Sequence, residues 1–419
     1  MKVLKNSFIY LSSSVISKGA PFLLLPFLTS YLETAEFGIL AIFLVMNTLY
    51  GAFIGMNMHA NVTKNFFHRT KPELAIITGN VFFILFATTG FYFLVTWLMV
   101  SFVDSFFSIP SEYLLVLPVL AFFAMANQIH LAVLRNEGRA YTFGAFEIAN
   151  AFFSLAITLI FLIYLEMGWL SQVIGMATAN LVLSVIGVGY LYRRGYVNLN
   201  FRKAETISIL KLSIPLIPHV LGGVVITVSD RLFLERMVGL EAVALYSIGY
   251  SFGMVVSLFT DALIKAWSPW FYEQLVNPTY EQKSKIVKST YLYLIGVFVV
   301  AYVISVLGEF ILPYVVDERY TGAEEYIWWI ALGYAVQGVY KIFFPYLVHI
   351  SKTGFLAFST VMAAITNLLL NYLLILEYGA LGAAYATILA FAVSAIIVFE
   401  YQRRNFWMPW ILKKRDTNV

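Results

Sequence analysis

Apolar runs of more than twenty residues recur from one end of this chain to the other, each stopped by charge, proline or glycine. A bilayer core needs about 20 such residues per helix. Lipid offers the backbone no hydrogen-bond partner, so a crossing segment is a helix or belongs to a closed barrel. The runs lack the alternation of a membrane-barrel strand. They specify an all-α integral membrane protein of twelve transmembrane helices. In the first half these span about 6–32, 37–59, 74–102, 113–134, 142–165 and 170–192; in the second, about 207–234, 242–267, 289–315, 326–349, 354–376 and 380–401. Only 12% of the 419 residues are charged, against about 25% in soluble domains.

Lys and Arg give the orientation, because cytoplasmic segments hold their excess. With the N-terminus inside, all of the 27 except Lys18, Arg231, Arg236 and Arg319 sort to inner ends and loops, although Lys341 lies well inside its span. Outer loops are acidic instead, with Glu33, Glu36, Asp104, Glu112, Glu166, Asp317 and Glu318 among others. An odd number of spans would scramble this sorting, so both termini are expected inside. No short apolar stretch ends in a small-residue cleavage site, so the first span is expected to be retained. The longest inner loop, Pro269–Lys288, reads as a short interfacial helix, and Trp407–Arg415 as a segment lying on the inner membrane surface.

Several chemistries are missing. Zero Cys excludes disulfides, thiolate metal sites and a cysteine nucleophile. There is no P-loop, GxSxG or HExxH motif, and the five His are far apart. A net charge of +4, spread along the chain, does not point to nucleic acid.

The halves repeat weakly. Leu4, Lys5 and Ser7 match Leu210, Lys211 and Ser213; Glu36 and Leu40 match Glu241 and Leu245; Glu166, Gly168 and Leu170 match Glu377, Gly379 and Leu381. Six spans per half is an even number, so the repeat is parallel, related by an axis along the membrane normal. The expected division is an N-terminal bundle over 1–200, a C-terminal bundle over 201–402 and a basic tail over 403–419.

Polar groups inside the spans are the candidate functional residues. A lysine at mid-membrane costs about 2.5–3.5 kcal/mol on the most lenient scale. Lys18 sits roughly 20 Å along its helix from Asn6, on a stripe with Tyr10, Ser14, Ser17 and Pro21. It either faces a water-filled cavity or snorkels to the inner headgroups. Lys341 shares a face with Tyr334, Gln337, Pro345 and His349, and its first-half counterpart is His130, beside Asn127 and Gln128. The alternative there is a structural hydrogen-bond cluster. Asp261 and Lys265 stand four apart, acid first, the favourable order for a helical ion pair. Lys265 is also close enough to the inner surface to snorkel.

Asp230 closes a stripe running through Pro215, His219, Gly223 and Thr227. It is adjacent to Arg231, so the two point about 100° apart and are not expected to pair. Glu147, five residues into its span, reads equally as an inner-edge residue. Asn47, Asn57, Asn150, Asn180, Asn367 and Asn371 read as interhelical hydrogen bonders.

The sequence resembles the lipid-linked oligosaccharide flippases, including those for O-antigen, of the superfamily that also holds multidrug-and-toxin extruders. The resemblance rests on Leu4-Lys5-Asn6-Ser7 with the Ser-rich, proline-broken first span, and on Glu36-Phe37-Gly38. It rests also on Ser229-Asp230-Arg231-Leu232-Phe233-Leu234, Ala266-Trp267-Ser268-Pro269 and Gly379–Thr387.

It implies a V of two six-helix bundles that opens alternately to each side. It implies transfer of an undecaprenyl-pyrophosphate-linked oligosaccharide across the bacterial inner membrane for O-antigen or other surface polysaccharide, and a transporter rather than an enzyme. Lys18, Lys341, Lys265, Arg231 and His130 would then bind substrate, since a pyrophosphate needs cations. Asp230, Asp261 and Glu147 would carry a coupled proton or Na+. The 27 Tyr and 8 Trp offer faces and hydroxyls for sugars. No cofactor is implied; membrane lipids, a polysaccharide polymerase and a chain-length regulator are the implied partners. Two rivals stand beside this reading. A membrane polymerase or glycosyltransferase would display a sizeable outer loop, and the outer loops here are short. A multidrug extruder of the same fold would line its cavity with acids.

Overall fold

The computed structural model describes residues 2–106, 108–276 and 278–411. Helix accounts for almost all of them, and among them there is no strand. The chain divides into two compact units. The first comprises Met1–Val224, Gly239–Ala244 and Val315–Tyr320; the second comprises Val225–Val238, Leu245–Tyr314 and Thr321–Val419.

In the first half the helices are α1 (Lys2–Tyr31), α2 (Thr34–Gly55), α3 (His59–Phe66), α4 (Lys71–Phe106), α5 (Ser111–Leu114), α6 (Val116–Asn136), α7 (Ala140–Ile163) and α8 (Leu170–Arg193). The second half holds α9 (Lys203–Ser213), α10 (Ile217–Met237), α11 (Leu240–Gly253), α12 (Val255–Gln274), α13 (Tyr280–Val315), α14 (Glu324–His349), α15 (Thr353–Tyr378) and α16 (Ala380–Asn405). Helix starts recur half a chain apart: Thr34 with Leu240, Lys71 with Tyr280, Leu170 with Ala380. Among the described residues, ten helical segments are long and apolar enough to cross a membrane. The two expected spans outside that set, 6–32 and 207–234, fold as α1 and as α9 and α10 joined by a 3-10 turn at Ile214–Leu216.

In the first unit α1 packs on α7, α7 on α8, and α6 on both α2 and α8. In the second, α12 and α16 both pack on α14, and α15 packs on α16. Glu36 closes a capping box with Glu33 at the start of α2, which satisfies backbone donors that a helix start leaves open. Two residues on, Gly38 lies against the Leu240 carbonyl, where any Cβ would collide. The Glu36-Phe37-Gly38 motif is thus a cap and a close helix contact. The stretch joining α8 to α9 is held to α4: Asn198 N donates to the Ala75 carbonyl at 2.9 Å, and Arg202 N to Asn80 Oδ1 at 3.0 Å.

The structure corrects one loop. Pro269–Lys288 is not an interfacial helix. Pro269 lies inside α12, which runs to Gln274, and α13 has begun by Tyr280. Both membrane helices extend past their apolar runs, because their polar ends carry helix-compatible residues that need no lipid. Within the described part of the tail, Met408 is buried and Trp410 packs inward, while Trp407 and Ile411 are exposed. Trp410 lies against Phe343 and Phe399, with ring centroids 5.6 and 5.5 Å away, and Lys283 Nζ donates to the Trp407 carbonyl at 3.2 Å. Leu412–Arg415, part of the expected surface segment, lie outside the described residues.

Arg319, in the turn after α13, ties that turn to the end of α1. Its Nε donates to Asp317 at 2.8 Å, Nη1 pairs with Glu33 at 3.0 Å, and Nη2 donates to the Thr29 carbonyl at 3.2 Å. A cation there complements the negative end of the helix dipole. Hydrogen bonds from the Arg319 side chain and backbone hold the Asp317 carboxyl below its ordinary value. A depressed carboxyl contributes stability above its unfolded pKa, about 3.9, and loses it as pH falls through the lower folded value. Hydrogen exchange at Asp317–Tyr320 is therefore expected to stay slow from neutral pH down to about 5. Arg319→Ala should speed it several-fold throughout; equal rates in the variant would rule the contact out as the anchor.

Candidate functional site

Small and polar residues bring α7 close to α1. A Cβ at Gly144 would lie 3.2 Å from that of Ser13, so glycine permits the approach. One turn further on, Glu147 meets the serine stripe. Ser13 Oγ donates to its carboxylate at 3.1 Å, and Ser14 Oγ at 3.1 and 3.3 Å.

The carboxylate borders a cavity of about 290 Å³ enclosed by α1, α6, α7 and α8. Its polar lining is Ser17, Asn127, Gln128, Glu147, Asn150, Ser154, Gln172 and Asn180. Asn127 Nδ2 donates to Asn180 Oδ1 at 3.1 Å, which fixes the amide and leaves Asn127 Oδ1 without a partner among the described residues. Asn150 Oδ1, Gln172 Oε1 and Ser17 Oγ are likewise buried and unpartnered. Each such atom costs about 1–3 kcal/mol. A bundle built only to pack would fill this space with apolar side chains.

The sequence singled out the serines and Glu147. It read Asn150 and Asn180 as interhelical hydrogen bonders, and passed over Gln172. The missed signal was spacing: Gln172, Met176 and Asn180 share one face of α8. Lys18 is exposed, makes no ion pair among the described residues, and is not part of this lining. His130 is 2% exposed and also outside it. Its ring stands edge-on to Phe146 at 4.5 Å, Gly187 leaves room for it, and neither nitrogen has a partner among the described residues.

In the second unit, α12 and α14 carry a different cluster. Lys341 Nζ lies 2.7 Å from Asp261 Oδ1 and donates to Ser257 and Thr260 hydroxyls at 3.1 and 3.3 Å. Asp261 is thus not paired with Lys265, as the helical spacing suggested. Lys265 is exposed and forms no ion pair among the described residues. An exposed i,i+4 pair is worth only a few tenths of a kcal/mol, whereas Lys341 brings hydroxyl contacts with it. The pair is partly open: the Asp261 side chain is 38% exposed and that of Lys341 19%.

Asp230 and Arg231 do form a pair, contrary to expectation. Arg231 Nη1 reaches back to Asp230 Oδ1 at 3.3 Å. The 100° between adjacent Cβ vectors is bridged by the length of the arginine stem. Both are buried. Tyr246 OH donates to Asp230 Oδ2 at 2.6 Å, Ser247 Oγ accepts from Arg231 Nε at 3.1 Å, and the guanidinium lies 4.0 Å from the Tyr250 ring. Tyr250 is hydrogen-bonded to Tyr334. Ser229 donates to Asn367 Oδ1 at 2.9 Å, and Asn367 donates in turn to Thr387 at 3.2 Å. The side chain of His219, on the same stripe, lies outside the described residues.

Residues 3–275 match the family described as polysaccharide biosynthesis protein. The chain belongs to that family. A Haemophilus influenzae relative named as an uncharacterized membrane protein is 23% identical over 373 residues, 88% of this chain and 89% of its own length. A Haloferax volcanii relative named as a probable low-salt glycan biosynthesis flippase is 34% identical over 98 residues, 23% of this chain and 21% of its own. Among solved structures, an inward-facing multidrug resistance MATE family transporter of the MOP superfamily superposes with a TM-score of 0.69. It is 15% identical, with 95% of this chain and 94% of that one covered. A Vibrio cholerae MATE transporter gives 0.59 at 13% identity and 96% coverage of each chain. These likenesses establish the MATE fold. This polysaccharide biosynthesis protein therefore combines a family shown by sequence with a fold shown by structure.

Proposed function

We propose that this protein carries an undecaprenyl-pyrophosphate-linked oligosaccharide from the inner to the outer leaflet of the bacterial cytoplasmic membrane by alternating access. The product serves O-antigen or another surface polysaccharide, and both termini face the cytoplasm. The observation that carries the reading is the half-open Lys341–Asp261 pair among hydroxyls, inside membrane-spanning helices. A mid-membrane lysine needs a counter-charge. An exposed carboxylate is one that an incoming pyrophosphate can displace. A proton or Na+ taken up by Asp261 then compensates the acid left behind, which couples ion binding to substrate binding at one point. Lys265, exposed on the helix that carries Asp261, adds a second cation in this unit, and Lys18 is an exposed cation of the first unit. Arg231 and Asp230 neutralise each other in a closed network and His130 is packed among rings, so the mechanism assigns them no substrate contact. The polyprenyl tail stays in membrane lipid, and a polymerase with its chain-length regulator takes the product.

One observation favours a multidrug extruder instead: the Glu147 cavity has a carboxylate and no Lys or Arg in its lining. Deletion with complementation decides between the two. Loss of long-chain surface polysaccharide on a gel, restored by the gene, is the expected result. Unchanged polysaccharide with lost drug resistance would establish the extruder.

A further inference from the structure

The cavity beside Glu147 is chemically unlike the Lys341 pair, and the mechanism above does not use it. We infer that it is a recognition subsite for a single uncharged sugar ring of the translocated glycan, separate from the lysines that take the anionic part. The inference rests on the flippase reading and specifies what its N-terminal unit selects.

Its lining is a surplus of acceptors. Asn127 and Gln172 line the cavity, 4% and 8% exposed, and each has a buried amide oxygen with no hydrogen-bond partner among the described residues. Asn127 cannot turn its amide round without losing both bonds to Asn180. Asn150 adds another unpartnered oxygen, and the Glu147 carboxylate retains acceptor capacity beyond its serine bonds. A fitting ligand therefore brings several donors and no negative charge. Sugar hydroxyls do so, each donating one proton; a uronic acid or a phosphate would face Glu147.

Size points the same way. About 290 Å³ lies at the lower edge of the roughly 300–1,000 Å³ of ligand pockets, enough for one ring. A bare Ca²⁺ draws 6–8 oxygens to about 2.3–2.6 Å, and this space is too wide for that. Among the described residues, no group of three or more His, Asp or Glu is placed to hold a metal. Phe146, Pro21 and Leu24 in the lining supply apolar surface for the C–H face of a ring.

The test is saturation-transfer NMR on the full chain in nanodiscs. The probes are methyl glycosides of glucose, galactose and N-acetylglucosamine, with methyl glucuronide as the acidic counterpart. At least one neutral glycoside should receive saturation, the glucuronide none. Asn127→Leu and Gln172→Leu should each cut the neutral signal fivefold or more. Glu147→Gln should admit the glucuronide, a gain that misfolding cannot produce. No neutral glycoside binding to the unmodified chain overturns the inference. So does unchanged binding in both leucine variants, or binding of ²²Na⁺ that Glu147→Gln abolishes while glycosides never bind. Failure here with the deletion still losing polysaccharide refutes the subsite alone. Glycoside binding with polysaccharide unchanged on deletion refutes the export reading instead.

Discussion

Asp230→Ala is expected to cost about 3–5 kcal/mol of stability, the range for stranding one partner of a buried pair. The carboxylate is fully buried, and Arg231, 8% exposed, has it as its counter-ion. Removing it leaves a guanidinium inside a membrane protein with hydroxyl, carbonyl and ring contacts but no counter-ion among the described residues. Tyr246 loses its 2.6 Å acceptor as well. Ser229→Ala, which gives up one hydrogen bond to Asn367, should cost about 1 kcal/mol. The measurement is thermal unfolding in detergent, followed by size-exclusion fluorescence. Replacing both partners, Asp230→Leu with Arg231→Met, should recover most of the loss, since apolar pairs often substitute for buried ion pairs at no net cost. An Asp230→Ala protein that melts within a degree of the unmodified one would show that the pair does not hold this unit together.

Lys341→Glu is expected to reduce polysaccharide export at least tenfold while the protein still reaches the membrane. A charge-assisted hydrogen bond to phosphate is worth about 1.5–3 kcal/mol, and each 1.4 kcal/mol is tenfold in affinity. The substitution also sets a second carboxylate where the ammonium stands 2.7 Å from Asp261. Asp261→Asn should separate the two roles. It removes the negative charge beside Lys341, so a pyrophosphate probe should bind more tightly, yet the ion-exchangeable acid is gone and turnover should fall. Probe titration of purified protein reads the first effect; chain length on a polysaccharide gel, at matched expression, reads the second. Normal export by Lys341→Glu removes this lysine from the substrate path.

Hydropathy and charge spacing by themselves determined the class of this protein, its membrane helices to within a few residues over most of the chain, and the halves' matching order. They also marked the residues that belong to no anchor: the α1 serines, Glu147, Asp230, Asp261 and Lys341. These are local properties, read along one helix at a time, because a 3.6-residue turn and a bilayer of fixed thickness act on each segment separately. Partners were decided only in the tertiary structure. Asp261 goes to Lys341 rather than to Lys265, and Arg231 folds back onto its neighbour Asp230. Gln172 becomes part of one cavity with Ser17 and Asn127. Each of these outcomes depends on which helices pack together and how closely. That is fixed by small residues such as Gly144 and by the summed fit of side chains far apart in the chain, which no single helix encodes.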